Sequence, residues 1–162
     1  MKFRSLFGDS KITFKVDGKP PQKSEWGGEN ASLVIKLRKA ALKARKDAGR
    51  DKCIASPVKL NLVVHAPNID DRDYIQSGND DEKRYVGDLD SLVAGVCDYL
   101  SKAPEKPGRN NFSPSVLFNQ EPEINPIIPI LIEDDSQIQI ITAEKIVSNE
   151  LFYVVEIKLL DS

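Results

Sequence analysis

Hydrophobic and polar positions alternate with a period of two in two separate stretches of the chain. In Lys11–Asp17, apolar Ile12, Phe14 and Val16 alternate with polar residues, which predicts a half-buried strand. A second alternating run, Val58–Val64, ends before Pro67, because proline cannot donate to a strand ladder. The pattern therefore predicts two strands, one at each of these positions.

Two other stretches repeat their apolar residues at helical spacing. The first lies between Asn30 and Gly49, residue types that favour the start and the end of a helix. The second runs from about Asp90 to Lys102, where apolar residues recur every three or four positions. We therefore expect one helix after the first strand and another after the second strand.

The end of the chain holds two further runs rich in β-branched and aliphatic residues. They are Ser136–Val147 and Glu150–Leu160, and only Ser148-Asn149 separates them. A two-residue connection of this chemistry is typical of a β-hairpin. The sequence thus predicts that the last two strands pair with each other.

The predicted order is β-α-β-α-β-β, which indicates an α+β domain with a mixed sheet and two helices on one face. With 162 residues, of which 40% are hydrophobic, the whole of 1–162 suits a single domain. Two polar or proline-rich stretches, about 68–86 and about 103–130, are predicted to be long loop insertions.

The composition of the chain indicates the cellular compartment in which we expect the protein. The chain has no apolar run of about 18 residues and no apolar segment near its start to act as a secretory signal. Cys53 and Cys97 show no metal-type spacing, which favours reduced thiols in a cytoplasmic protein. We therefore expect a cytoplasmic protein without a membrane span.

The charge distribution is more informative than the net charge of −2. Residues 36–52 are strongly basic, whereas residues 70–90 are strongly acidic. On the first helix, four lysines at steps of three and four share one flank; these are Lys36, Lys39, Lys43 and Lys46. A basic surface beside an acidic cluster suits a metal-dependent enzyme acting on phosphates, and it also suits two ordinary solvated faces.

Two pairs of aspartates are the strongest candidates for chemistry. Asp88 and Asp90 open the second predicted helix, and Asp134 and Asp135 directly precede a predicted strand. Carboxylates gathered at one point repel each other unless they are protonated or bound to a cation. Mg²⁺ or Mn²⁺, which prefer oxygen ligands, are the natural occupants, and such a site can hydrolyse a phosphodiester.

Other catalytic arrangements are not supported by the sequence. The chain has no phosphate-binding Gly-x-x-x-x-Gly-Lys-Ser/Thr loop and no Gly-x-Ser-x-Gly turn. His65 is the single histidine, and we assign it a packing or capping role. Lys23 and Trp26 share a loop that could contact a phosphate and a base, although we favour a core role for Trp26.

These motifs resemble the RusA family of Holliday-junction resolvases. The similarity lies in Gly-Asp-Leu-Asp-Ser-Leu at 87–92 and in Ile-Glu-Asp-Asp-Ser-Gln-Ile at 132–138. It extends more loosely to Val16–Lys23, which is similar to the family's first strand and basic proline-rich loop, and to Lys145 in the strand after the second motif. The family pattern has Asp-Leu-Asp-Asn-Leu followed by Asp-Asp-x-Gln-Val/Ile.

The resemblance implies a homodimeric, Mg²⁺-dependent endodeoxyribonuclease that nicks four-way DNA junctions symmetrically in recombination and repair. It implies that Asp88, Asp90 and Asp135 are catalytic metal ligands and that Asp134 supports them. Lys23, the four lysines of the first helix and Lys145 are the predicted DNA-binding residues.

This chain departs from the family pattern at three positions. Ser91 replaces an asparagine, Ala94 replaces a lysine, and Gly87 stands where an arginine is often found. A DNA-structure-binding protein with weak or no cleavage is therefore an alternative function. A third interpretation is an acidic metal-binding or interaction module whose basic helix meets a protein partner.

Overall fold

The computed structural model describes residues 10–69, 85–103 and 116–160. The first strand, β1, spans Lys11–Asp17. Helix α1 spans Ala31–Asp47, strand β2 Val58–Ala66 and helix α2 Leu89–Leu100. Strands β3 and β4 span Ile138–Val147 and Phe152–Leu159. The predicted element order is confirmed, and most of the predicted bounds are accurate to within a few residues.

The four strands form one mixed sheet in the order β1-β4-β2-β3. β4 is antiparallel to both β1 and β2, whereas β2 and β3 are parallel. The fold is therefore the predicted α+β arrangement with a mixed sheet and two helices.

The predicted terminal hairpin is wrong, because β2 lies between β3 and β4 in the sheet. The connection from Val147 to Phe152 passes over the end of β2, where the Ser148 amide donates to the Ala66 carbonyl at 3.0 Å. The polar Ser148-Asn149 pair thus belongs to a crossover and not to a two-residue turn. A parallel partner for β3 buries one edge of that strand without requiring it to pair with β4.

The core lies between the two helices and one face of the sheet. Alternate residues of β1, β2 and β4 are buried on this face, and α1 packs on β1 while α2 packs beside β3. Burial of these apolar side chains is the dominant stabilising contribution, at roughly 25 cal/mol per Å². The opposite face carries polar residues together with a stacked pair, His65 and Phe152, whose ring centroids are 4.3 Å apart.

The described part of the second predicted insertion is not irregular throughout. It forms short 3-10 helices at Val116–Gln120 and Pro122–Ile124, and Phe118 and Ile124 are buried in the core. Most of the first predicted insertion, and residues 104–115 of the second, lie outside the described residues.

Candidate metal centre

Asp88 and Asp90 stand at the beginning of α2, as the sequence predicts. Asp88 occupies the N-cap position in extended conformation, but its side chain does not cap the helix. Its Oδ1 instead accepts a hydrogen bond from the Tyr85 hydroxyl at 2.5 Å. Asp90 lies in the first turn and is exposed, where the helix dipole favours a negative charge.

Gly87, directly before Asp88, has a backbone conformation that favours glycine. Its φ is +122°, a backbone conformation that residues with a side chain rarely adopt. A Cβ at this position would be in ordinary van der Waals contact with the Leu92 side chain, at 3.4 Å, so the backbone conformation is what favours glycine. The glycine therefore sets the direction in which the chain enters α2, directly before Asp88.

Lys145 lies in β3 and points toward α2 instead of toward solvent. Its ammonium group donates to the Ile69 carbonyl at 3.0 Å, to the Gly87 carbonyl at 3.1 Å and to the Tyr85 hydroxyl at 3.2 Å. An ammonium group has three donors, so all of them are directed at protein oxygens. This arrangement differs from the predicted DNA contact.

Asp134 and Asp135 form the turn that starts β3. The Asp134 carboxylate accepts from the Ser136 amide at 3.0 Å, and the Gln137 side chain accepts from the Glu133 and Asp134 amides at 2.8 and 2.9 Å. The spacing of Asp134 and Gln137 is thus that of a capping box. The turn holds both carboxyl groups at a fixed place beside α2.

The two carboxyl groups of this turn influence each other directly. The hydrogen bond to Asp134 raises the pKa of Asp135, and burial and nearby negative charge raise it further. The Ser136 amide lowers the pKa of Asp134, with a further contribution from Asp135. Two neighbouring carboxylates repel each other, and a bound cation would relieve that repulsion.

Asp98 is a further carboxylate that the sequence analysis did not single out. It accepts from the Ser24 amide at 2.9 Å, and burial raises its pKa while Lys23 lowers it. Its negative charge also raises the pKa of Asp135. The i, i+4 spacing of Asp90, Ala94 and Asp98 could have identified it, because such residues share one helix face.

The structure therefore places carboxylates along the length of α2. Asp135 lies near Asp98 in the last turns of this helix, whereas Asp90 is eight positions earlier, about 12 Å along the axis at 1.5 Å per residue. Within the part of the chain that the structure describes, no group of three or more potential metal ligands is found. The all-oxygen donor set fits Mg²⁺ or Mn²⁺ in its chemistry, and a single shared site remains a prediction.

The predicted DNA-binding lysines of α1 are exposed, but each has an oxygen partner within the protein. Exposed ion pairs contribute only about 0–1 kcal/mol each, so a DNA phosphate can displace the carboxylate partners of these lysines. The partners are the Asp17 carbonyl for Lys36 at 3.3 Å, Glu121 for Lys39 at 3.0 Å, Asp47 for Lys43 at 3.2 Å and Glu123 for Lys46 at 3.9 Å.

Two neighbours of these lysines face inward. Arg38 is fully buried, and its guanidinium lies 5.0 Å from the centre of the Trp26 ring. Arg45 donates to the Ile130 carbonyl at 2.8 Å. Trp26 itself is 5% exposed and packs edge-on against Tyr99, which confirms its core role.

Comparisons with known proteins identify no relative. A scan against protein-family models and a search of curated proteins both found no match. Among the described residues, no helix is long and apolar enough to cross a membrane.

Proposed function

We propose that the protein is a metal-dependent endodeoxyribonuclease that resolves four-way DNA junctions. The observation that carries this proposal is the position of the two aspartate pairs, because Asp88 and Asp90 begin α2 and Asp135 lies against the same helix. The motifs themselves, and their order along the chain, resemble those of the RusA family.

In this proposal Asp88, Asp90 and Asp135 bind Mg²⁺, or Mn²⁺, and Asp134 supports Asp135. Because Asp135 lies near Asp98, about 12 Å from Asp90 along the axis of α2, a single ion contacts all three carboxylates only if the turn at Asp134 and Asp135 moves toward the start of α2 when the metal binds. A divalent ion held there supplies an activated water and stabilises charge on the leaving oxygen of the phosphodiester. The chain's own contribution is to hold the ligands in place. The Ser136 amide fixes Asp134, and the N-terminal turn of α2 presents Asp90.

Lysine side chains supply the DNA contact in this proposal. Lys23 lies close enough to Asp98 to lower its pKa, which puts a positive charge near the second aspartate pair. Lys36, Lys39, Lys43 and Lys46 offer a second positive surface on α1. Binding that neutralises several phosphates weakens steeply with salt, so this assignment predicts a strong salt dependence.

The outer edge of β3 supports the proposed homodimer. Ile140 and Ile146 are exposed on one face of this edge strand, and Ile141 and Val147 are exposed on the other. An unpaired strand edge is a template for pairing with a second copy. Antiparallel pairing centred on Ala143 would bring Ile140 opposite Ile146 of the partner on the same face of a continuous sheet.

The alternative function is a DNA-structure-binding protein that cleaves weakly or not at all. Ala94 favours it, because the family has a lysine at this position and Ala94 lies between Asp90 and Asp98 on one helix face. A lysine there would be flanked by a carboxylate one turn away on each side. If the missing lysine limits catalysis, Ala94→Lys will raise the cleavage rate without strengthening junction binding.

Junction binding and cleavage, measured in parallel, separate these functions. The assay compares a labelled four-way junction with linear duplex in Mg²⁺, Mn²⁺ or EDTA, over a range of salt. Asp90→Asn should abolish cleavage and leave salt-dependent binding, whereas the matched control Asp51→Asn, at an exposed carboxylate beyond the end of α1, should cleave normally. Binding without cleavage in either metal would support the alternative, and neither binding nor cleavage would contradict both.

A further inference from the structure

Lys145 and Tyr85 form a hydrogen-bonded chain that ends on Asp88. The Lys145 ammonium donates to the Tyr85 hydroxyl at 3.2 Å, and that hydroxyl donates to Asp88 Oδ1 at 2.5 Å. The ammonium also lies 4.9 Å from the centre of the Tyr85 ring. Because an ammonium group can only donate, the Tyr85 hydroxyl accepts from Lys145, and its own proton is donated to Asp88.

The same lysine fixes the backbone around this chain. Its two remaining donors bind the carbonyls of Ile69, just after β2, and of Gly87, just before Asp88. Lys145 therefore joins the end of β2 to the start of α2 while it also orients Tyr85. Its side chain is half-buried, which strengthens these charge-assisted hydrogen bonds relative to exposed ones.

We propose that Lys145 and Tyr85 are positioning residues that hold the Asp88 carboxylate in the orientation in which it binds a divalent cation. Tyr85 engages Oδ1 and leaves Oδ2 for the cation. Residues that hydrogen-bond to a metal ligand and orient it commonly change the metal affinity by about 10–100-fold when they are removed. This inference rests on the proposed function, and it replaces the predicted DNA contact of Lys145 with an internal role.

Tyr85→Phe tests the chain with the smallest possible change, since only the hydroxyl is lost. Tyr153→Phe is a matched control, because the Tyr153 hydroxyl is buried and makes no hydrogen bond to the described residues. Calorimetric titration with Mn²⁺ should show affinity about 10-fold weaker for Tyr85→Phe and unchanged for Tyr153→Phe. Equal Mn²⁺ affinity in Tyr85→Phe and the wild type would overturn the proposal.

A metal-free measurement separates this inference from the proposed function. In NMR spectra of the ¹⁵N-labelled protein, the hydrogen-bonded Lys145 ammonium should give a slowly exchanging signal, unlike exposed Lys158, and Tyr85→Phe should speed its exchange. Lys145 exchange as fast as that of Lys158 would overturn the chain. Absence of Mn²⁺ binding by the wild type would instead contradict the proposed function, whatever the ammonium signal shows.

Discussion

Replacing Arg38 with methionine should destabilise the protein more than any change of a surface lysine. Arg38 is fully buried, and its guanidinium donates five hydrogen bonds, all to backbone carbonyls. The acceptors belong to Tyr99, Ser101, Ile124, Asn125 and Ile128, at distances of 2.9, 2.8, 3.0, 2.8 and 2.5 Å. These bonds tie α1 to the end of α2 and to the chain that leads back into the core.

The expected loss follows from what methionine leaves behind. Burial lowers the pKa of Arg38 to about 9, so the side chain is still charged at neutral pH. The bonds to Tyr99, Ser101 and Ile124 are buried, and each carbonyl left without a donor costs about 1–3 kcal/mol. Three such carbonyls would cost about 3–9 kcal/mol. Because removing the ion also removes its desolvation penalty, we expect a net loss at the lower end of this range, about 3–5 kcal/mol.

Urea unfolding followed by circular dichroism measures this loss. The control is Lys39→Met, which removes a positive charge one position away, from an exposed pair with Glu121, and should cost less than about 1 kcal/mol. Arg38→Met should unfold at a clearly lower urea concentration than Lys39→Met. If the two variants unfolded at the same urea concentration, the proposed contribution of the Arg38 hydrogen bonds to stability would be refuted.

Three further predictions address packing, charge and assembly. Gly95→Ala should cost about 1–3 kcal/mol in urea unfolding, because a Cβ there would lie 2.1 Å from the Pro21 carbonyl oxygen; an unchanged midpoint would contradict this close approach. The pKa of Asp135 is raised in the folded state, so the folded protein binds the proton of this carboxyl more tightly than the unfolded chain does. The stability that this proton contributes to the fold is present at low pH and is lost as the pH rises through the folded-state pKa. Without metal, Asp135→Asn should therefore raise the melting temperature near pH 7 by about 1–2 °C, since exposed carboxyl interactions are weak. The gain should vanish near pH 3, and a gain of equal size at both pH values would contradict the raised pKa of Asp135. Ala143→Cys should form an intermolecular disulfide under oxidation if two copies pair along β3, and a variant that stays monomeric on a non-reducing gel would exclude that register.

Local sequence patterns predicted the elements of this fold but not all of their partners. The alternation in Lys11–Asp17 and the glycine that ends α1, Gly49 with a φ of +80°, depend on neighbours in sequence, so they were visible in the chain alone. Asn30 does stand at the start of α1, but its side chain bonds to the Gln22 and Glu25 backbone instead of capping the helix. The parallel pairing of β3 with β2 joins residues that are far apart in sequence, such as Ala66 and Val147. Nothing in the Ser148-Asn149 segment distinguishes a crossover from a hairpin turn.

In the candidate site, too, the features set by neighbouring residues were predictable and those set by distant residues were not. The spacing of Asp88 and Asp90 and of Asp134 and Asp135 marked both aspartate pairs, because each pair belongs to one short segment. The role of Tyr85 was not predictable, since it depends on Lys145, which lies 60 positions away.

Arg38 illustrates a second reason why the sequence was incomplete. In the sequence it belongs to a strongly basic stretch, and charged residues of this kind are usually exposed. Its burial depends on a set of carbonyls from α2 and from residues 124–128. Only the three-dimensional structure brings those carbonyls together.

Strand-resolved cleavage of a synthetic four-way junction tests the central claim most directly. Each of the four strands is labelled in turn, and the wild type and Asp90→Asn are compared in Mg²⁺, in Mn²⁺ and in EDTA. If the protein is a junction-resolving nuclease, the wild type should make paired nicks at symmetric positions on two opposing strands with either metal, and none in EDTA, and Asp90→Asn should make none. Intact strands in Mg²⁺ and Mn²⁺, or equal cleavage by Asp90→Asn, would contradict this claim.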